Sequence, residues 1–452
     1  MKTVSQLTRR FRVAFDDAKV VAHAGLVFPL RLADGLGLQE RVNRTVSGQD
    51  RAGRRNSGHK VLQLVAMLAA GGEFISDVAV VAAGATLRRL GYRSYSESRL
   101  GQWLRSLHDA DIAGLADATT EVTAAAWAQG LGPDLEKVSV AAPLIIDLDS
   151  TVTETYGAAK EGAGDRNYKG VKGYHPLLAV EASTGQVIAA ELRAGNTSPA
   201  NGAADFVTDT LGRLHRLAAR PVPTLIRADS GFYLRDLFDE CQKAKVSFSV
   251  TVRVHQPTRR IIEGIGGDAW RPLSASATRR VDIAEVPFTI KGRNEGRAPI
   301  PVRLIVRRYT TPADSGDRQL RLFDLVDYHA FVTDQQGDPA DLWRRHNQRA
   351  GIETTIRDLK YGLALNHFPS GKFIANAAWL HLNTLTHNLL RATNRVLTPQ
   401  PLTAKLLRYR YLAVPGRITA AGHTTILHLP QNWPHQHHIT RAHTRLQTPT
   451  AA

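Results

Sequence analysis

The period of the apolar positions changes along the chain, and the changes divide it into regions. Between residues 60 and 107 apolar side chains recur at helical spacing. They predict helices over 60–70, over 75–83, and from 98 through Leu100, Trp103, Leu104 and Leu107, with Ser57 near the cap of the first. From residue 141 the spacing becomes that of strands. The run 144–149 (LIIDLD) reads as a buried strand ending in carboxylates, and 174–181 and 187–192 as two more, joined by the turn Ser183-Thr184-Gly185. A helix over 200–217 carries Phe206, Leu211, Leu214 and Leu217 on one face. A fourth strand over 224–228 again runs into a carboxylate, Asp229, and a helix over 234–244 and a fifth strand over 246–252 follow.

Three strands, helix, strand, helix, strand is the order expected of a ribonuclease-H-like mixed sheet, so the fold class expected is α/β. Residues 254–335 interrupt that order with three β-rich runs, 281–290, 300–308 and 320–333, separated by charged loops over 291–297 and 314–318. They read as an inserted β domain. Beyond it, 376–391 is an amphipathic helix with Trp379, Leu382, Leu385 and Leu389 on one face, and a hairpin lies within 411–429. The organisation expected is a helical N-terminal region over 1–135, a first part of the core over 140–253, the insertion over 254–335, a second part of the core over 336–395, and a C-terminal hairpin and tail over 396–452. The tail is rich in His, Thr and Pro. His435, His437, His438 and His443 have no cysteine or carboxylate among them, so a solvated tail is expected rather than a metal site.

The stretch 344–360, RRHNQRAGIETTIRDLK, has the length of a helix, no proline and one internal glycine, Gly351. At about 100° per residue, His346, Arg349, Glu353 and Lys360 fall within an arc of roughly 60°. Ile352, Ile356 and Leu359 lie on a second face and can anchor the helix. Taken alone, this pattern also fits a solvated charged face.

Composition narrows the choice. The chain has 452 residues, too many for one ordinary core, with 43% hydrophobic and 22% charged residues. Its formal net charge is +17, which favours a polyanionic partner. No apolar run approaches the roughly 20 residues that span a bilayer, and the first residues lack the apolar core of a secretion signal, so a nucleic acid is expected and a membrane is not. A single cysteine, Cys241, fits a reducing cytoplasm. Arg51, Arg54, Arg55, His59 and Lys60 form a basic entry to the first predicted helix. The N-terminal helices read either as a helix-turn-helix-like DNA-binding unit or as a bundle packed on the next domain.

Asp149, Asp229 and Glu353 are the acids that the pattern places together. In a mixed sheet of this order the first and fourth strands are neighbours. Their ends can present two carboxylates side by side, and a later helix can add the third. Crowded like charges are tolerable when divalent cations neutralise them, and hard carboxylate oxygens suit Mg²⁺ or Mn²⁺. Two such ions can activate an attacking oxygen and stabilise a leaving one in phosphoryl transfer. Asp147 competes with Asp149, because residues two apart on a strand share a face. Asp149 is preferred because it lies nearer the strand end and precedes Ser150-Thr151.

At this point the chain resembles the DDE transposases of bacterial insertion sequences whose third acid lies in a Y-x2-R-x3-E-x6-K signature. The matching residues are His346, Arg349, Glu353 and Lys360, with histidine in place of the tyrosine. The segments DSTVTETYG from Asp149, LRAGN from Leu192, ADSGFY from Ala228 and FPSGKFIANAAWLHLNTLTHNLLR from Phe368 are similar to the subgroup called insertion sequence family 1380. The resemblance implies a bacterial, cytoplasmic enzyme, nucleoid-associated when bound to DNA. It also implies DNA strand cleavage at terminal inverted repeats and strand transfer into target DNA, by a homodimer on paired ends. Asp149, Asp229 and Glu353 would be catalytic metal ligands for two Mg²⁺ ions, Mn²⁺ substituting. His346, Arg349 and Lys360 would contact DNA, as would Arg54, Arg55 and Lys60 of the basic entry. Two rivals remain at this level: a two-metal nuclease that cuts without joining, and an inactive DNA-binding protein derived from a transposase.

Overall fold

The computed structural model describes residues 12–46, 56–83, 92–157, 159–164, 170–198, 201–276, 278–291, 297–313, 323–422 and 424–447. Arg54 and Arg55 lie outside the described residues.

The helical layer comes first. Helix α1, Ser57–Ala70, is apolar on nearly every face and is buried among its neighbours, with α2, Asp109–Ala128, packed in the same layer. Strand β1, Leu144–Ser150, opens the sheet and is followed by β2, Leu177–Glu181, and β3, Val187–Glu191. Helix α3, Ala203–Ala218, leads to β4, Thr224–Ala228, and α4, Arg235–Lys243, to β5, Ser247–Val252. Strands β6, Arg271–Ala275, β7, Arg280–Ile290, β8, Ile300–Thr311, and β9, Leu325–Thr333, follow. The chain then runs through α5, Pro339–Asn347, α6, Ala350–Gly362, and α7, Phe373–Leu397, to a C-terminal helix, α8, Gln436–Gln447.

All nine strands form one mixed sheet in the order β3-β2-β1-β4-β5-β9-β8-β7-β6. Strands β1, β4 and β5 are parallel, and β2 and β9 flank them antiparallel. The runs expected to form a separate β insertion instead extend the central sheet, because β9 pairs with β5 from Ala330↔Val252 to Thr333↔Ser249. Alternation along β1 sends Leu144, Ile146 and Leu148 into a core with α3 and α4, where Phe206, Leu214, Leu237 and Phe238 meet them. Asp147 and Asp149 therefore point to the opposite face.

A second core on that opposite face joins the N-terminal helices, α6 and α7. Helix α7 lies deep in it, with Trp379 and Leu380 fully buried. Its polar side chains have assigned work. Asn388 takes the Val187 amide at 2.8 Å and donates to the Val187 carbonyl at 2.8 Å, so it closes the hydrogen-bonding edge of β3.

Three further expectations change. The stretch 344–360 is two helices, broken at Gln348 and Arg349. Leu342 and Trp343 of α5 are buried against Ile283, Ile305 and Phe331 of the sheet extension, whereas Ile352 and Leu359 of α6 belong to the core around α7. The histidine-rich tail is helical rather than solvated coil: Ile439 and Ala442 are buried, and His438 Nδ1 lies 2.6 Å from the Tyr411 hydroxyl. The strand expected over 174–181 is two pieces, because Gly173–Tyr174 pairs instead with Thr153–Glu154.

Asp147 and Arg227 face each other across β1 and β4, fully buried, in a two-pronged ion pair of 2.7 and 2.8 Å. Asp147→Ala would leave that guanidinium buried without its carboxylate. Urea unfolding should show a loss of about 3–5 kcal/mol, and the double replacement Asp147→Leu with Arg227→Met should recover most of it.

Candidate active site

Parallel pairing of β1 with β4 sets Leu148 opposite Ala228, so Asp149 and Asp229 leave neighbouring strands at the same end of the sheet. Asp149 is the penultimate residue of β1, and its Oδ1 accepts the Ser150 amide at 2.8 Å. Asp229, at the mouth of β4, caps the short turn Ser230–Phe232 by accepting the Gly231 amide at 2.8 Å. Glu353 stands in the first turn of α6, exposed to solvent. Acids favour that position, since the backbone dipoles leave positive charge there.

Asp149 records how close these charges are. Burial pushes its carboxyl up to about 6. Arg349 opposes the shift, and the negative charges of Asp229 and Glu353 add to it. The Arg349 Nη2 lies 3.6 Å from Asp149 Oδ2, with both side chains largely covered. The three acids thus share one electrostatic neighbourhood. Among the described residues, no three His, Cys, Asp or Glu side chains stand close enough together to hold a metal ion as a ready-made cluster. The donor chemistry nevertheless fits a hard divalent cation. A largely buried carboxylate whose neighbours include two more carboxylates is short of positive charge.

Asp147, the competitor of Asp149, is removed from consideration by its pairing with Arg227. The sequence carried a signal for this, since Arg227 stands as far before Asp229 as Asp147 stands before Asp149. Lys360 sends its Nζ to the Val152 carbonyl at 2.7 Å and ties α6 to the chain just beyond β1. His346, expected to contact DNA, is buried, its ring nitrogens meet Ser249 Oγ at 2.7 Å and Thr251 Oγ1 at 3.0 Å, and it stacks on Phe331 at 4.2 Å. Burial lowers its pKa to about 3, so it is a neutral wedge between α5 and the sheet. Lys60, also expected to contact DNA, is 3% exposed inside the helical layer, with its ammonium over the rings of Trp103 and Tyr95.

Sequence reasoning missed the support behind Asp149. His175 is buried and bridges the Ser150 hydroxyl at 3.0 Å and the Thr197 carbonyl at 2.8 Å. Because that carbonyl only accepts, His175 Nδ1 carries the proton and donates to it. Arg193, in the LRAGN segment, donates to the carbonyls of His175, Ser198 and Asn201 and folds the loop after β3 around this histidine. Neither role has a spacing signal, since both depend on a loop closing over the strand end.

The raised Asp149 pKa has a stability consequence with a definite sign. The folded carboxyl titrates near 6 against an ordinary 3.8, so the folded protein binds this proton more tightly than the unfolded chain does. Its contribution is fully present below pH 4 and is lost as pH rises through 6. Asp149→Asn should therefore raise the melting temperature of the metal-free protein at pH 7.5, by the equivalent of about 1–3 kcal/mol. Thermal scans across pH should show the gain vanishing near pH 4.

With the geometry in place, comparison with known proteins supplies the family. The family described as Transposase DDE domain group 1 matches residues 4–451. No curated protein sequence matches the chain. Among solved structures, the cryo-EM structure of a piggyBac transposase synaptic complex with hairpin DNA aligns with 95% of this chain and 83% of its own, at 11% identity and a TM-score of 0.42. The match over nearly the whole sequence places this chain in the DDE transposases of domain group 1.

Proposed function

We propose that this transposase cleaves DNA at the ends of an insertion sequence and joins the freed ends to target DNA, using Asp149, Asp229 and Glu353 to hold Mg²⁺. The observation that carries the reading is the pairing of β1 with β4, which brings Asp149 and Asp229 to one end of the sheet within electrostatic reach of Glu353. The order β3-β2-β1-β4-β5 supports a ribonuclease-H-like core. Glu353 with Arg349 and Lys360, together with the DST, LRAGN and ADSGFY segments, supports the insertion sequence family 1380 subgroup.

The division of labour follows from where each side chain stands. Asp149, anchored by the Ser150 amide, and Asp229, anchored by the Gly231 amide, are the fixed ligands. Glu353 is on a helix end and free to adjust. When bound, Mg²⁺ would supply the positive charge that favours an attacking and a departing oxygen in phosphoryl transfer. Arg349 offers a planar fork suited to a phosphodiester, and Lys360 fixes the angle of α6. The +17 charge supports contact with terminal repeats, and a homodimer would hold two ends together. The setting is the bacterial cytoplasm.

Glu353→Gln should abolish cleavage of a repeat-bearing duplex in Mg²⁺ while leaving its binding within about twofold, since an exposed side chain in a first helical turn carries little fold stability. Gel-shift and nicking assays on the same preparation separate the two. Joint loss of binding and cleavage contradicts the assignment. Strand transfer from pre-cleaved ends distinguishes the transposase from an enzyme that only cuts.

A further inference from the structure

Arg349 lies at the junction of α5 and α6, where the chain changes direction between two cores. Its guanidinium stands 3.6 Å from Asp149 Oδ2, and the other carboxylate oxygen is taken by the Ser150 amide. Both partners are mostly covered, with side chains 18% and 15% exposed, so solvent screens the pair only in part. The arginine is thus the present counter-ion of the carboxylate that the metal reading assigns as a fixed ligand.

A divalent cation and a guanidinium cannot both lie against one carboxylate oxygen without strong mutual repulsion. Arg349 therefore competes for the oxygen that the ion needs. The competition is relieved when another anion takes the guanidinium. A phosphodiester is the natural acceptor, because its two oxygens match the planar fork. The side chain springs from the first residue of a helix boundary, so it can change partner by rotating about its own bonds while α6 stays in place.

We propose that Arg349 is an exchangeable counter-ion: it neutralises Asp149 in the DNA-free protein and passes to a DNA phosphate on binding, which opens Asp149 to the divalent ion. This inference rests on the metal reading of Asp149. Its consequence is a coupling between two ligands. DNA strengthens ion binding and the ion strengthens DNA binding by the same factor, as linkage requires. An enzyme built this way holds metal weakly until its substrate is in place.

The test uses the full chain and Mn²⁺ as the probe, read by electron paramagnetic resonance or calorimetry, with no catalytic turnover involved. Without DNA, Arg349→Gln should bind Mn²⁺ about tenfold more tightly than the parent, the change expected for removing one competing partner of a largely covered ion pair. Arg349→Lys, which keeps the charge, should stay near the parent. A short duplex should tighten Mn²⁺ binding by the parent and leave Arg349→Gln unchanged. Arg349→Met repeats the test if glutamine unfolds the helix junction. Equal or weaker Mn²⁺ binding by the charge-removing variants overturns the exchange. If Asp149→Asn also fails to weaken Mn²⁺ binding, the metal reading itself falls. If Asp149→Asn loses the ion while Arg349→Gln leaves affinity unchanged, only the exchange does.

Discussion

The ion pair between Asp147 and Arg227 fixes what the rest of the molecule can do. These residues are direct partners in the parallel pairing of β1 and β4, both fully buried. A slip of one residue would turn Arg227 toward the apolar core of α3 and α4 and leave two buried charges unmatched. The register that satisfies the pair also sets Leu148 opposite Ala228, and the next residue of each strand is an acid. A buried contact with no part in chemistry thereby determines which two carboxylates leave the sheet together.

That arrangement is electrostatically uncomfortable. Asp149 is pushed up to about 6 by burial and by Asp229 and Glu353, and Arg349 offsets only part of it. The protein tolerates the strain because the backbone around the acids is heavily tied down. Ser150 is held through His175, the loop after β3 is folded by Arg193, and α6 is pinned by Lys360 to the Val152 carbonyl. Asp358 adds a further tie by accepting the Ala404 amide with both carboxylate oxygens. A site that concentrates like charge stays open only if its walls cannot relax away from it.

The strands were legible in the sequence because burial on both faces produces short apolar runs with sharp ends; the expected strand 224–228 coincides with Thr224–Ala228. The acids at the ends of two such runs were legible for the same reason. What failed was anything set by packing partners far along the chain. The period of 344–360 is compatible with a single helix, but the chain breaks between Trp343, anchored in one core, and Ile352, anchored in another. The burial of His346 and Lys60, both expected to contact DNA, was not legible, because charge pattern alone does not reveal the Phe331 and Trp103 rings beside them. The β-runs after residue 254 read as a separate unit because pairing partners cannot be seen in one sequence, and the pairing of β9 with β5 decides otherwise.

The most direct measurement of the central claim is a crystal of the protein bound to a short DNA duplex and soaked in Mn²⁺, with the ion located by its anomalous scattering. The account predicts a peak about 2.0–2.5 Å from carboxylate oxygens of both Asp149 and Asp229, with Glu353 turned toward it. Full occupancy elsewhere on the protein, with no peak between those two strand ends, would contradict it.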